Sequence, residues 1–224
     1  MKAEYYKNGI DKRDQRTYPL EETLFHQFII GSLQIAFRNI MKMEIIGNVN
    51  IPQHGAAIIA ANHVTNLDVF PMQSSIRRPI FYMGKAELFR NPVIHTIFRQ
   101  LGAFPVYRGE RDNWAIMHSM KILEAGNILG IFPEGTRSKG RGLKVAKTGA
   151  ARLAIDLNCP IIPMSIDGSY KFFKRFPRKS IVKIVIGSPI VPKYGELPIG
   201  LTDRLMYEIA KNLPVELRGV YREL

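Results

Sequence analysis

Several kinds of site are missing from this chain of 224 residues. Its one cysteine, Cys159, excludes an intramolecular disulfide and any metal site built from several cysteines, and it fits a reducing compartment. The five histidines do not follow a zinc-binding spacing such as HExxH. The sequence contains no GxGxxG or GxSxG, and Ala146 stands where a P-loop would need glycine before Lys147. We therefore expect no metal ion and no resident nucleotide cofactor.

Long apolar runs are missing as well. A helix that crosses a bilayer needs about 20 mostly apolar residues. The best stretch, Thr23–Phe37, has only 15 residues without a charge, and it includes His26, Gln27 and Gln34. The first 16 residues are too polar for a secretory signal peptide. We expect no transmembrane helix and, at most, peripheral contact with the cytoplasmic face of a membrane.

Positive charge is what the chain has in excess. Lys and Arg number 32 against 19 Asp and Glu, a net charge of +13. This excess favours an anionic partner, which is a nucleic acid, a membrane surface, or an anionic substrate or carrier. Hydrophobic residues make up 46%, which is enough for a sizeable core and excludes wholesale disorder.

Apolar runs alternate with helical stretches from Ile45 onward, and this alternation predicts an α/β domain with a central, mostly parallel or mixed sheet flanked by helices. We predict one such domain over residues 45–224, after an arm and an N-terminal amphipathic helix over residues 1–44. The candidate strands are Ala56–Ala61, Pro79–Met83, Phe104–Tyr107, Asn127–Phe132, Ile161–Ile166 and Ile181–Ile186. The candidate helices are Val69–Ile76, Glu87–Gln100, Asp112–Ala125, Val145–Leu157 and Thr202–Leu213.

The N-terminal region divides into a charged, loosely held arm of 19 residues and a helix from Leu20 to about Met43. Gln27, Gly31, Gln34 and Arg38 fall on one narrow strip of that helix, and nearly all its other positions are apolar. Two interpretations stay open. The helix packs between the core and a neighbouring helix, or it lies in the interface of a membrane.

Three polar clusters each follow a candidate strand. His63 and Asp68 follow the first, Arg108 the third, and residues 132–138 (FPEGTRS) the fourth. If these strands are parallel, the clusters meet at one edge of the sheet, where α/β proteins usually bind ligands. Asp68 could accept a hydrogen bond from one imidazole nitrogen of His63 and leave the other as a general base. A loop histidine beside a helix-capping aspartate is the alternative.

The FPEGTRS segment predicts a tight turn with an anion site. Gly135 permits backbone conformations that other residues resist. Thr136, nearby amides and Arg137 could bind phosphate. A turn in which Glu134 simply pairs with Arg137 is equally consistent with the sequence.

Taken in order, these motifs resemble the glycerolipid acyltransferases, and most closely the bacterial 1-acylglycerol-3-phosphate acyltransferases of the PlsC type. The blocks stand at His63–Asp68 (HVTNLD), Gly102–Arg108 (GAFPVYR), Phe132–Ser138 (FPEGTRS) and Pro160–Met164 (PIIPM). Residues 84–88 (GKAEL) and 147–150 (KTGA) also look like family positions. The similarity covers about residues 45–170.

The resemblance implies transfer of a fatty acyl group from coenzyme A or acyl carrier protein, as co-substrate, to a lysophospholipid hydroxyl. It implies that His63 is the general base and that Asp68 orients it. Phosphate binding falls to Arg108 and Arg137, with Gly135 and Thr136 shaping the pocket. Lys85 assists, and Glu134 holds Arg137 in place. No covalent acyl-enzyme is needed.

Residues 170–179 interleave five cations with four aromatic residues. Such a composition suits single-stranded nucleic acid or an anionic membrane, and with a lipid substrate we favour the membrane or the phosphates of the donor. Two further hypotheses are a nucleic-acid-binding protein driven by the net charge and a non-catalytic lipid-binding module. The presence of His63, Asp68 and Arg137 together argues against the non-catalytic module, because a degenerate copy should have lost one of them. We also expect no nucleic-acid partner.

Overall fold

A computed structural model describes residues 6–7, 10–11, 13, 18, 24–109, 112–171 and 179–223. The strands are β1 (Tyr6–Lys7), β2 (Ile10–Asp11), β3 (Met41–Ile46), β4 (Ala57–Ala61), β5 (Ile80–Lys85), β6 (Ala103–Val106), β7 (Ile128–Ile131), β8 (Ile161–Asp167) and β9 (Ser180–Ile186). The α-helices are α1 (Leu24–Ile40), α2 (Val69–Ser74), α3 (Pro92–Gln100), α4 (Asn113–Glu124), α5 (Gly149–Asp156) and α6 (Pro198–Lys211).

Seven strands form one sheet in the order β3-β9-β8-β4-β7-β5-β6, while β1 and β2 pair separately. The five strands from β8 to β6 are parallel, and β9 is antiparallel to β8 and parallel to β3. The predicted α/β class with a mostly parallel sheet is confirmed. Because the five parallel strands all end at the same edge, the loops that follow β4, β6, β7 and β8 lie there together.

The central strands are buried on both faces, so they read as unbroken apolar runs. Along β4, Ile58 and Ala60 point into one core, and Ala57, Ile59 and Ala61 point into the other. The first core lies beneath α4, α5 and α6, and the second beneath α1 and α2. The helices thus sandwich the sheet and leave its carboxyl edge for the loops.

The N-terminal helix is shorter than the sequence predicted. Helix α1 ends at Ile40, and Met41–Ile46 form β3, which pairs with β9. The prediction that the helix runs to Met43 is wrong because Lys42 and Glu44 alternate with Met41 and Met43, a period of two that suits an edge strand. The sheet begins at Met41, so the boundary expected between residues 44 and 45 falls inside β3. Residues 20–23 of the predicted helix lie outside the described residues.

Helix α1 turns an apolar face to solvent. The side chains of Leu24, Phe25, Phe28 and Ile35 are 84%, 53%, 69% and 65% exposed. Its other face contacts α2, where the rings of Phe37 and Phe70 stack 4.1 Å apart. Within the described residues, no helix has the length and apolar character needed to cross a membrane.

Two predicted helices begin later than expected. The stretch predicted as one helix over Glu87–Gln100 is a 3₁₀ turn (Ala86–Phe89) followed by α3, because Asn91 caps a new helix that starts with Pro92. Helix α5 begins at Gly149 rather than Val145. The segment before it pairs with the FPEGTRS turn instead, because the amide of Lys147 donates to the carbonyl of Pro133.

Candidate active site

The backbone at His63 is fixed from several directions at the end of β4. The Asn62 side chain donates to the Ile166 carbonyl (2.9 Å) and accepts from the Ile166 amide (2.7 Å). The amide of His63 donates to Oε1 of Glu134 at 2.9 Å, and its carbonyl accepts from the Ser138 amide at 2.7 Å. Neighbouring loops at the carboxyl edge thus set the position from which the imidazole projects.

Nδ1 of His63 lies 2.9 Å from Oδ2 of Asp68, and the Asp68 side chain is completely buried. Oδ2 also accepts from the backbone amides of Val64 (2.6 Å) and Thr65 (2.8 Å). Oδ1 accepts from two hydroxyls, that of Thr65 at 3.2 Å and that of Ser169 at 2.6 Å. Five donors therefore surround one carboxylate, and they hold it in a single orientation toward the imidazole.

The imidazole ring is fixed in plane by an aromatic neighbour. The His63 and Phe132 rings stack with centroids 4.0 Å apart and planes 17° from parallel. Within the described part of the chain, no side chain bonds Nε2 of His63. With Nδ1 committed to Asp68, Nε2 is the nitrogen available to take a proton from a substrate.

Glu134 is 4% exposed, and its carboxylate bridges two segments of backbone. Oε1 accepts from the His63 amide, and Oε2 accepts from the Lys144 amide at 3.0 Å. Burial raises the pKa of Glu134, an effect that the hydrogen bonds from these two amides oppose. Among the described residues, the partners of the Glu134 carboxylate are these two amides and not Arg137, so the expected hold on Arg137 stays a prediction. Glu134 positions His63.

A cavity of about 660 Å³ begins at Phe132, next to the imidazole. Its wall is apolar on the sheet side, at Met83, Val106 and Ile131. Its charged lining comes from the loops and α5 and consists of three cations and two carboxylates, namely Arg108, Lys147, Arg152, Asp112 and Asp156. Such a combination suits a ligand with an apolar chain and an anionic group.

Comparison with known proteins identifies the family. A family model described as Acyltransferase matches residues 42–167. A 1-acyl-sn-glycerol-3-phosphate acyltransferase of Bacillus subtilis is 30% identical over 166 residues, which are 74% of this chain and 82% of that protein. The chain belongs to the acyltransferase family. It is thus an O-acyltransferase, as the motifs predicted.

Other relatives agree. A 1-acyl-sn-glycerol-3-phosphate acyltransferase of Escherichia coli is 32% identical over 129 residues, or 56% of this acyltransferase and 53% of the relative. The chain spans about half the length of the Escherichia coli, Borreliella burgdorferi and Salmonella typhimurium relatives. The crystal structure of the 1-acyl-sn-glycerophosphate acyltransferase PlsC from Thermotoga maritima shares the fold, with a TM-score of 0.66 at 22% identity, covering 83% of this chain and 80% of that one.

The acyltransferase brings most of its predicted site residues to the carboxyl edge. Arg108 and Gly135 line the cavity, and Gly135 has a φ of +67°, which explains the glycine. Thr136 and Arg137 are exposed on the same turn. Lys85, at the end of β5, is half-exposed and pairs with Glu87 at 3.2 Å. Its contact with Glu87 leaves the predicted role in phosphate binding as a proposal.

Four site residues carried no assigned role in the sequence. Ser169 follows β8 and bonds Asp68, but a lone serine beyond the motifs gives no signal. Asn62 looked like part of a motif, yet its partner Ile166 is 104 residues away. Lys147 was noticed only as a family position. Its side chain lies over Gly135, where an added Cβ would come within 3.1 Å of the lysine Cε. Arg152, in α5, lines the same cavity.

Cys159 and the basic, aromatic stretch remain to be placed. Cys159 is buried, and burial raises the pKa of its thiol to about 11. The stretch at 170–179 lies almost entirely outside the described residues, which stop at Lys171 and resume at Lys179. Its expected contact with a membrane or a donor stays a prediction.

Proposed function

We propose that this acyltransferase transfers a fatty acyl group from an acyl thioester to the sn-2 hydroxyl of 1-acylglycerol-3-phosphate, giving phosphatidic acid. The observation that carries the proposal is the buried pair of His63 and Asp68 beside a cavity with an apolar wall and cationic lining. The relatives supply the acceptor, since they are 1-acyl-sn-glycerol-3-phosphate acyltransferases.

Proton transfer is the part of the reaction that the site serves most directly. Nε2 of His63 removes the proton from the acceptor hydroxyl as its oxygen attacks the thioester carbonyl. Asp68 stabilises the imidazolium that forms, because its carboxylate lies 2.9 Å from Nδ1 and is held in place by the other four of its five hydrogen-bond donors. The tetrahedral intermediate then collapses and expels a thiolate. A thiol has a pKa near 8.5, so this leaving group needs no general acid.

The acceptor phosphate is a dianion, and more than one cation is needed to hold it in water. We assign it to Arg108 and Arg137, with Lys85 and Lys147 nearby. Gly135 lets the backbone of the turn pass under Lys147. The Thr136 hydroxyl accepts a hydrogen bond from Nζ of Lys144 at 3.4 Å. The apolar wall of the cavity receives an acyl chain.

The acyl donor is acyl-coenzyme A or acyl carrier protein, both of which carry phosphate toward a basic surface. No further cofactor enters the proposal. The exposed apolar face of α1 supports peripheral binding to an anionic membrane, where the lipid acceptor resides. Replacing Phe28 and Ile35 with serine should reduce co-sedimentation with anionic liposomes. Undiminished binding would show that α1 is not the anchor.

The direct test uses the purified protein in mixed micelles with palmitoyl-coenzyme A. One arm offers 1-acylglycerol-3-phosphate, and the other offers monoacylglycerol, which presents a similar hydroxyl and chain without the phosphate. Phosphatidic acid in the first arm and little product in the second are expected. Equal acylation of both would contradict the phosphate site, and inactivity would call for acyl carrier protein as donor before the reaction is rejected.

A further inference from the structure

Arg13 stands before the region matched by the family model, yet it is one of the most buried charged residues, with an exposure of 2%. Its guanidinium forks onto Asp112, with Nη1 2.6 Å from Oδ2 and Nη2 2.9 Å from Oδ1. Its other edge binds Asp11 through Nε and Nη2. The arm expected to be loosely held is therefore docked at Arg13.

Arg108 lies in the connection between β6 and α4, and Asp112 bonds the backbone at both ends of this connection. Its Oδ2 accepts from the amide of Tyr107 at 2.8 Å, and its Oδ1 accepts from the amide of Ala115 at 3.1 Å, as the cap of α4. The two amides lie on either side of Arg108 in the chain. One carboxylate thus ties both ends of this connection together.

Arg13 adds contacts of its own to both ends of the connection. Nη1 also donates to the carbonyl of Pro105 in β6 at 3.3 Å. The guanidinium carbon lies 4.5 Å from the centroid of the Tyr107 ring and 4.5 Å from that of Trp114 in α4. Five residues later Tyr18 is buried against Trp114 and the histidine rings of α3 and α4. Arg13 and Tyr18 therefore hold the N-terminal arm to the domain through several separate contacts.

The ion pair of Arg13 and Asp112 also affects the charge of the cavity wall. Asp112 lines the cavity together with Arg108, and an unpaired carboxylate there would repel a phosphate. Burial raises the pKa of Asp112, but the hydrogen bonds from Arg13, Tyr107 and Ala115 and the charge of Arg13 outweigh it and leave the pKa below its ordinary value. The carboxylate is therefore ionised, and the positive charge of Arg13, which also pairs with Asp11, partly offsets it.

We propose that Arg13 is a positioning residue for the acceptor site: through Asp112 it fixes the connection that carries Arg108, and it offsets the negative charge of Asp112 on the cavity wall. This inference rests on the proposed function, in which Arg108 binds the acceptor phosphate. It makes Asp11 and Arg13 part of the support of the acceptor site, although the acyltransferase motifs all lie beyond them.

Steady-state kinetics with 1-acylglycerol-3-phosphate separate positioning from folding. Arg13→Gln should raise KM for the acceptor about tenfold or more, with kcat within about threefold of wild type. Arg13→Lys keeps the charge but cannot bond both oxygens of Asp112 at once, so its KM should lie between those of wild type and Arg13→Gln. The matched control is Arg78→Gln, because the guanidinium of Arg78 also joins separate segments of the chain but bonds only backbone carbonyls, at Pro52, Gly55 and Gly126. The control should lower the yield of folded enzyme and leave KM unchanged.

A double variant tests whether Arg13 acts through Arg108. If it does, Arg13→Gln should raise KM much less in the Arg108→Ala background than in wild type, since the group it positions is gone. If Arg13→Gln raised KM by the same factor in both backgrounds, the proposal would be overturned. An Arg13→Gln variant that loses kcat while its KM for the acceptor is unchanged would also overturn it. If Arg13→Gln does not fold, Arg13→Lys alone and with Arg108→Ala carries the same comparison.

Hydrogen exchange tests the clamp without any substrate. The amides of Tyr107 and Ala115 should exchange faster in Arg13→Gln than in wild type and should be unaffected in Arg78→Gln. Unchanged protection of both amides in Arg13→Gln would overturn the clamp even in an active enzyme. Conversely, faster exchange in a protein that does not acylate a phosphate acceptor would support the clamp and reject the proposed function.

Discussion

Replacing Asp68 with asparagine should remove the charge at the catalytic pair and leave its hydrogen bonds in place. The three donors on Oδ2, from His63, Val64 and Thr65, can all bond the amide oxygen of asparagine. The two groups on Oδ1 are the hydroxyls of Thr65 and Ser169, which can rotate and accept from the amide nitrogen. The imidazole therefore keeps its orientation and its tautomer.

The expected loss of rate follows from the missing charge. Nδ1 and Oδ2 are 2.9 Å apart, so the charge centres of imidazolium and carboxylate are about 4 Å apart. At an effective dielectric constant of about 20, this attraction is worth about 4 kcal/mol. That is roughly a thousandfold in kcat, within the range of about 10²–10⁴ that general-base catalysis contributes.

Asp68→Ala provides the contrast. It leaves the amides of Val64 and Thr65 buried without an acceptor, and each such group costs about 1–3 kcal/mol. We expect the alanine variant to lose roughly 3–5 kcal/mol of stability and the asparagine variant only about 1 kcal/mol. Thiol release measures kcat, and urea denaturation measures stability. An asparagine variant with a kcat within tenfold of wild type would refute the electrostatic role of Asp68, and equal stabilities of the two variants would refute the bonding scheme.

The other predictions concern neighbouring buried groups. Glu134→Gln should be destabilising by about 1–3 kcal/mol, because both carboxylate oxygens face amide hydrogens and the new NH₂ would face one of them. A free energy of unfolding in urea equal to that of wild type would contradict this. Ser169→Ala should lower kcat about three- to tenfold, whereas Ser165→Ala, which removes an equally buried hydroxyl bonded to a backbone carbonyl, should cost a similar 1 kcal/mol or so of stability with kcat unchanged. Burial, with Lys121 and Arg13 nearby, lowers the pKa of His118 to about 4. The unfolded chain therefore binds more protons between pH 4 and 6.5, so stability is complete above pH 6.5 and falls with decreasing pH by up to about 1.4 kcal/mol per unit. Urea midpoints at pH 7 and 5 should differ less in His118→Phe than in wild type, and an identical difference would contradict the assignment.

The sheet and the meeting of the motifs could be predicted because both depend on local sequence. Strands buried on both faces read as apolar runs, and parallel strands bring their following loops to one edge. The His63–Asp68 contact could be predicted for the same reason, since it spans only five residues within one loop. Strand β3 was missed because its alternating pattern directly continues an apolar helix.

The supporting contacts could not be predicted, because their partners are distant in sequence and chemically ambiguous. Glu134 stands three residues from Arg137, and proximity suggested a pair, but the fold places the amide of His63 closer to its carboxylate. Ser169 reaches Asp68 across 101 residues. Arg13 lies in a charged, non-periodic segment that indicates a solvated arm, and its burial depends on Asp112, 99 residues further along the chain.

Catalysis by His63 is the central claim, and one side-by-side assay tests it. Phosphatidic acid formation from 1-acylglycerol-3-phosphate and palmitoyl-coenzyme A is measured for wild type, His63→Ala and His54→Ala, the last an exposed histidine. We predict that His63→Ala loses about 10²–10⁴-fold in kcat while His54→Ala matches wild type. A folded His63→Ala variant that turns over as fast as wild type would contradict the account.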